Sequence, residues 1–503
     1  MSKALLDKYL GQEQQTLNLF LSILAAMLAL YLIPLIYVTY KALSAISLVK
    51  RTRIPGPWYT NVTSIALKYH EFSKNRRLWI HSLHEKYGPV VRLAPNEVSF
   101  NNLEGLKEIY QSGGSGFDKT EFYDLFKQYG HRTMFSTLNK HDHAERKKLF
   151  ADRYAMTNVM RPEIIDGIQK RAMAVVEKCR ESVGKCLDVY VTLHCYALDG
   201  ASHFLFNPGG TDSLNNPDDF KLMQELTYHD SIRARLVAYY WPAIDKLAVL
   251  FNHKIIPLSR NYCLDRTNAD SPAETSLISK LHSKSSSISR IEMAAECMDH
   301  LAAGIDTTGD GLCFLMYELS LPRSQHIQSR LRDELLANPN AKLNDLPYLE
   351  AVIKEGLRLF PPIPMSHPRY VPGPSSRKIC GYNVPAGTIV SCQPYSLHLL
   401  NESTWGVGEF DPAKFVPERW LDAERALEMN RLFLSFGAGG RGCIGRNLAL
   451  IEMKTLLREV YTRFVTKVAS EMEGDMSISD QIIASRPKDQ TCLLNFEPIG
   501  CKA

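Results

Sequence analysis

The sequence has 503 residues, a formal net charge of +5 and 45% hydrophobic residues. That length exceeds a usual single domain, yet no linker, fixed-period repeat or low-complexity stretch divides it, which points to one large catalytic domain. The small positive charge is spread along the chain without Lys/Arg clusters and argues against nucleic acid as a partner; the eleven cysteines, scattered singly with no C-x-x-C pair, argue against a disulfide framework or a structural zinc site.

The first predicted element is the uncharged run Leu17 to Val38, long enough to cross a bilayer as a helix, with Pro34 inside it. It outruns the apolar core of a cleaved signal peptide, and no small-x-small cleavage site comes after it. Lys41, Lys50, Arg51 and Arg53 lie beyond it, whereas Lys3 and Lys8 before it are offset by Asp7 and Glu13, so the positive-inside rule puts the rest of the chain in the cytosol. The expected division is a short lumenal N-terminus (1–16), a transmembrane anchor (17–40), a basic, proline-rich hinge (41–58) closing on "RIPGPW", and a catalytic domain (59–503). The sequons at Asn61 and Asn401 then go unused.

Beyond the hinge, the alternating run Val90 to Phe100 predicts a small sheet, while most of residues 140–360 shows helical periodicity. The fold class is therefore mainly α with a minor β part (α+β). "FYDLFKQYG", Phe122 to Gly130, offers aromatics that read either as plain core or as the wall of an apolar pocket. "HDHAERKKLF" carries His143, Arg146, Lys147 and Lys148, for which a solvated helix face is the plain alternative. A helical run starting near Ile291 contains "LAAGIDTTGDG", Leu301 to Gly311, where Gly304, Thr307 and Thr308 are poor helix formers. A threonine hydroxyl there bonds back to a carbonyl of the previous turn or yields that carbonyl to water. A capping Asp and Thr between two helices is the competing reading. "EAVIKEGLRLFPPIP" then sets Glu355 and Arg358 on one helix face, with Arg369 and Arg419 further on in "SHPRYVP" and "FDPAKFVPERW".

The last element, "FGAGGRGCIG" from Phe436 to Gly445, reads in two incompatible ways. Gly437, Gly439 and Gly442 spell the dinucleotide fingerprint G-x-G-x-x-G, but "EMNRLFLSF" before it is not a continuous β-branched strand and no second parallel β-α unit comes after it. Alternatively, the glycines let the backbone pass close to a flat cofactor, and Cys443 stands just ahead of an amphipathic helix with Leu450, Met453, Leu457, Val460 and Phe464 on one face. The positive start of that helix favours a sulfur anion, the form that binds iron.

Phe436, Gly439, Arg441, Cys443 and Gly445 match in order and spacing the F-x-x-G-x-R-x-C-x-G signature, so the chain resembles the cytochrome P-450 superfamily, in particular its fungal microsomal members. The resemblance implies haem b with Cys443 as the axial thiolate on iron and Arg441 on a propionate. It implies Asp306 and Thr307 as the acid and alcohol of proton delivery, and Glu355, Arg358 and Arg419 as a buried structural network. His143 and Lys147 occupy the place of the family's W-x-x-x-R pair; which of His143, Arg146, Lys147 or Lys148 meets a propionate stays open, and Arg369 is a further contact. Pocket residues are expected around His300, Ala303 and Gly304, at Ile363 and Met365, and at Phe122 and Phe126.

By the same resemblance the function is a monooxygenase that hydroxylates, epoxidises or otherwise oxidises an apolar small molecule of terpenoid, polyketide or alkaloid type in secondary metabolism. O2 is the oxidant. Electrons come from NADPH through a membrane-bound NADPH-cytochrome P-450 reductase, for which Arg446, Lys454 and Arg458 offer a basic face, with ordinary solvated helix charges as the plain alternative. The setting is the endoplasmic reticulum membrane with the catalytic domain in the cytosol. Two rivals are a haem-thiolate isomerase or dehydratase that takes no external electrons and a haem sensor; Asp306 and Thr307 count against both.

Overall fold

The computed structural model describes residues 3–228, 232–244 and 257–500. Helix α1, Lys3–Thr52, runs unbroken through Pro34. Its stretch Thr16–Thr52 is long and apolar enough to cross a membrane, and none of its most apolar window is buried against the rest of the protein. The helix carries Lys41, Lys50 and Arg51 with it and ends only before Arg53 and the Pro55-Gly56-Pro57 turn, so most of the expected hinge is helical. The helix end is tied to the domain by Arg92, whose guanidinium donates to Thr52 Oγ1 at 2.6 Å.

Helices dominate the domain. Those that place the site are α2 (Lys140–Lys148), α3 (Val189–Phe206), α4 (Arg290–Ser320), α5 (Pro347–Leu359), α6 (Ala423–Leu432) and α7 (Arg446–Tyr461). α4 starts with a capping box in which Ser289 and Glu292 satisfy each other's backbone N–H, so its first turn is fixed. Both α3 and α4 are buried on nearly every side and cross at the centre of the domain. Glycines make that crossing close: a Cβ on Gly304 would stand 2.8 Å from Ala201 Cβ, and one on Gly309 would stand 2.9 Å from the His194 ring. The apolar faces of α3, α4 and α7 form the main core.

A five-stranded sheet holds the other side. In chain order its strands are β1 (Val90–Ala94), β2 (Glu97–Phe100), β3 (Asp118–Lys119), β4 (Arg369–Tyr370) and β5 (Ile389–Cys392), and their spatial order is β1-β2-β5-β4-β3. β2 and β5 are parallel and the other neighbours antiparallel. The register places Lys119 directly opposite Arg369. The result is a mainly α domain with small sheets, as expected.

Candidate active site

The Cys443 loop is shaped by its own glycines. Gly437 and Gly439 have φ of 66° and 65°, left-handed values that side-chain-bearing residues rarely adopt, and a Cβ on Gly439 would overlap the Tyr110 carbonyl oxygen. The loop closes on itself where Cys443 N–H donates to the Phe436 carbonyl at 2.7 Å and Gly442 N–H to that of Gly439 at 2.9 Å. α7 begins at Arg446 with Gly445 as its cap. Burial pushes the Cys443 thiol up, while the Gly445 and Arg446 backbone N–H groups and the Lys147 and Arg446 charges pull the other way. These are the groups that favour a thiolate. The residue retains accessible surface, and Phe436 lies beneath the Arg446 guanidinium, 5.6 Å from ring centre to cation.

A buried network anchors this loop. Glu355 and Arg358 form a two-pronged pair with both contacts at 2.8 Å, and Arg419 Nε adds a third contact to Glu355 at 2.9 Å. Val416 N–H and Trp420 Nε1 complete the carboxylate. The two guanidiniums also donate to the carbonyls of His398, Pro412, Trp405 and Phe410. His398 passes the order on: its Nδ1 meets the Arg358 carbonyl, and its Nε2 accepts from Leu434 N–H at 3.0 Å, just ahead of the glycine loop. Burial alone would raise Glu355, but the two guanidiniums and the Val416 N–H outweigh it and hold the carboxyl below its usual range.

Beside the loop lies a second cluster with a different balance. Arg441 donates to the Thr137 and Leu138 carbonyls at 3.2 and 2.6 Å and stands 3.6 Å from Asp118. Arg369 donates to Tyr123 Oη at 2.8 Å, and Lys119 Nζ donates to the Phe135 carbonyl. His143 is buried among them. Burial first, then the neighbouring cations, pushes Arg441 down to about 10, Lys119 well below its ordinary value and His143 down to about 3. The Nε atoms of Arg369 and Arg441 are buried with no hydrogen-bond partner. Like charges facing across adjacent strands repel, so this arrangement calls for an anionic group between them. Carboxylates of a bound cofactor fit that demand.

Of the cations in α2 and just after it, Arg146 bonds Glu296 on α4, and Lys148 pairs with Glu145 at 2.6 Å. Lys147 reaches the loop rather than the cation cluster, donating to the Gly440 carbonyl at 2.9 Å. It lines a cleft of about 550 Å3 with Lys354, Arg431, Arg446 and the loop from Phe436 to Cys443, and no α4 residue enters that cleft. The expected basic face is corrected in part: Lys454 is buried, held by Glu350 at 2.6 Å and Asn344 at 2.9 Å, and Arg458 leans on Glu459 at 3.6 Å. Arg446 stays exposed.

On α4, Thr307 Oγ1 donates to the Ala303 carbonyl at 2.7 Å, so the hydroxyl bonds back and the helix stays continuous. Ala303 is exposed and Gly304 and Thr307 are half-buried although most of α4 is buried, so the Ala303/Thr307 stripe is a side of the helix that the chain leaves uncovered. Asp306 is pushed up to about 7, by burial first and then by the charge of Asp310 one turn on. Phe122, Phe126, Ile363 and Met365 meet in one apolar cluster. Phe135, Tyr239, Ile482 and Ile483 join it, unsignalled in the sequence because they come from separate segments. Two expected pocket residues are elsewhere. His300 points into the packing, with Nδ1 2.6 Å from Tyr154 Oη and its ring against Phe150, and Gly304 serves the contact with Ala201 on α3.

The fold, the cysteine loop and the cation cluster describe a haem-thiolate enzyme, and the comparisons agree. The chain belongs to the cytochrome P450 family, whose model matches residues 54–493. It is 29% identical over 475 residues to the cytochrome P450 monooxygenase aflV of Aspergillus parasiticus, covering 88% of this chain and 91% of that protein. It is 28% identical over 498 residues to cypX of Dothistroma septosporum (92% and 95% covered) and 29% over 468 residues to stcB of Emericella nidulans (88% and 88%), both also cytochrome P450 monooxygenases. The protein is an enzyme of this monooxygenase class. Family membership implies a thiolate-ligated haem, the use of O2 and a redox partner.

Proposed function

We propose that the protein inserts one atom of O2 into an apolar small molecule of secondary metabolism and that NADPH supplies the electrons through a membrane-bound reductase. The observation that carries this reading is the underpartnered cation cluster beside the Cys443 loop, where Arg441 belongs to both. Cys443 would ligate the haem iron, and Arg441, Arg369, Lys119 and His143 would hold the propionates. The haem, when bound, supplies O2 activation.

The chain's own groups supply the rest. Asp306, pushed up to about 7, can both hold and release a proton near neutral pH, and it would replace the proton that the Thr307 hydroxyl gives up in delivery. The aromatic and aliphatic cluster around Phe122, Phe126, Phe135, Ile363 and Met365 excludes water and receives an apolar substrate. The Lys147, Lys354, Arg431 and Arg446 cleft offers the reductase a basic surface behind the cysteine. Residues 17–40 would anchor the enzyme in the endoplasmic reticulum membrane, 1–16 on the lumenal side, with 41–58 leading to a cytosolic catalytic domain at 59–503.

The test is reconstitution with an NADPH reductase and a panel of apolar metabolites. Product carrying one atom of 18O from labelled O2, with NADPH consumed in proportion, is expected. Product formed without NADPH and without the label would overturn the reading in favour of an isomerase or dehydratase.

A further inference from the structure

One turn beyond the half-buried Asp306, α4 carries a buried carboxyl, Asp310, that proton delivery through Asp306 and Thr307 leaves without a task. Opposite it on α3 is His194, fully buried, with Nε2 3.5 Å from Asp310 Oδ1. Neither of these facing atoms has a hydrogen-bond partner, so what joins them is an ion-pair contact. Gly309 makes room for the imidazole, since a Cβ there would stand 2.9 Å from the ring.

The other ring nitrogen decides the chemistry. His194 Nδ1 lies 2.7 Å from the Tyr190 carbonyl oxygen, which can only accept, so Nδ1 carries a hydrogen. Nε2 is therefore the nitrogen that gains or loses a proton, and beside a carboxylate it is favoured as N–H⁺. Burial alone would lower His194, but the contact with Asp310 outweighs it and raises the imidazole. Burial raises Asp310 on balance, and the imidazolium at this distance works against that rise and favours the ionised carboxylate.

We propose that the His194–Asp310 pair is a positioning element for Asp306: it presents a fixed negative charge one helical turn away, so that the Asp306 carboxyl keeps the proton it passes to Thr307. The proposal rests on the assignment of Asp306 and Thr307 to proton delivery. Among the described residues, the charged and titratable groups facing this carboxyl pair are His194 and Tyr190 on α3, Cys313 on α4, Arg235 on the helix Ile232–Tyr240 and Arg486 on the strand Ser485–Pro487. The net effect is upward: burial and then the Asp310 charge outweigh His194, Arg486 and Arg235 and bring Asp306 to about 7. Because Asp310 acts more strongly on Asp306 than His194 does, removing the Asp310 charge is expected to lower Asp306, and removing His194 is expected to lower it too because Asp310, left without its counter-ion, becomes neutral.

The experiment is a pH titration of the haem-loaded enzyme read by infrared difference spectroscopy of protonated carboxyl groups, with Asp306→Asn subtracted to isolate the Asp306 band. In Asp310→Asn the midpoint of that band is expected to fall by about one pH unit, the size of a nearby charge partly offset by its counter-ion. His194→Gln, which leaves Asp310 unpaired and so neutral, is expected to move it the same way and serves if Asp310→Asn does not take up haem. A band that stays at the wild-type midpoint in the variants that fold overturns the proposal. Hydrogen peroxide released per NADPH, measured on the same proteins with reductase, separates this failure from that of the underlying assignment. A rise in Asp306→Asn supports proton delivery by Asp306, and an unchanged value overturns that assignment whatever the infrared band does.

Discussion

Around Glu355, two guanidiniums share one carboxylate and spend their remaining N–H groups on backbone carbonyls; around Arg369, three cations and a neutral histidine crowd together and two guanidinium Nε atoms find no acceptor. Both clusters are buried and both flank the cysteine loop. The difference teaches what each is for. A buried charge whose every donor is satisfied inside the chain holds the scaffold, whereas a buried charge left short of acceptors marks where an anionic ligand belongs.

The comparison breaks most visibly at Glu355. Glu355→Gln leaves two buried guanidiniums without their carboxylate and is expected to destabilise the domain by about 3–5 kcal/mol, as breaking a buried pair does. Denaturant unfolding checks this, and a loss below about 1 kcal/mol would place Glu355 outside the scaffold. The cation cluster should respond with the opposite sign. Arg369→Met removes an underpartnered charge, so the haem-free protein is expected to be as stable as wild type or more so, while haem retention weakens by roughly 10–100-fold, the worth of one or two charge-assisted hydrogen bonds. Competition for haem with apomyoglobin reads the retention, and unchanged retention would remove Arg369 from the cofactor site.

The smallest effect is in acid sensitivity. Glu355 sits below its ordinary 4.5, so the stability it contributes is complete above that value and is lost only as pH falls beneath it. His143, held down to about 3 from an ordinary 6.5, resists a proton that the unfolded chain accepts, so it costs stability as pH falls from 6.5 towards 3. Between neutral pH and about 5, the haem-free His143→Gln variant is expected to lose less stability than wild type, by up to about 1.4 kcal/mol per pH unit. Equal slopes would show that His143 is not held neutral.

The parts of the site visible in the sequence are those set by local spacing. Gly439, Arg441 and Cys443 lie in one loop, and Glu355 and Arg358 share one helical turn, so order and period suffice to place them together. Lys119 was not legible because its neighbour Arg369 arrives only through the pairing of β3 with β4, which no local pattern records. His300 was misplaced because period alone puts positions 300, 303 and 307 on one face, while its ring is taken up by Tyr154 and Phe150, which arrive from a separate segment that no local pattern records. Lys454 looked like a solvated helix charge until Glu350 from α5 covered it. The long apolar N-terminal helix was readable from its length and composition alone, and the fold class from the balance of helical and alternating runs.

The most direct test of the account is the carbon monoxide difference spectrum of dithionite-reduced enzyme in membranes, wild type against Cys443→His. The account predicts the long-wavelength Soret band of thiolate-ligated ferrous haem in the wild type and its loss in the variant. Folded, haem-loaded wild-type protein without that band, or a Cys443→His variant that keeps it, would contradict Cys443 as the iron ligand.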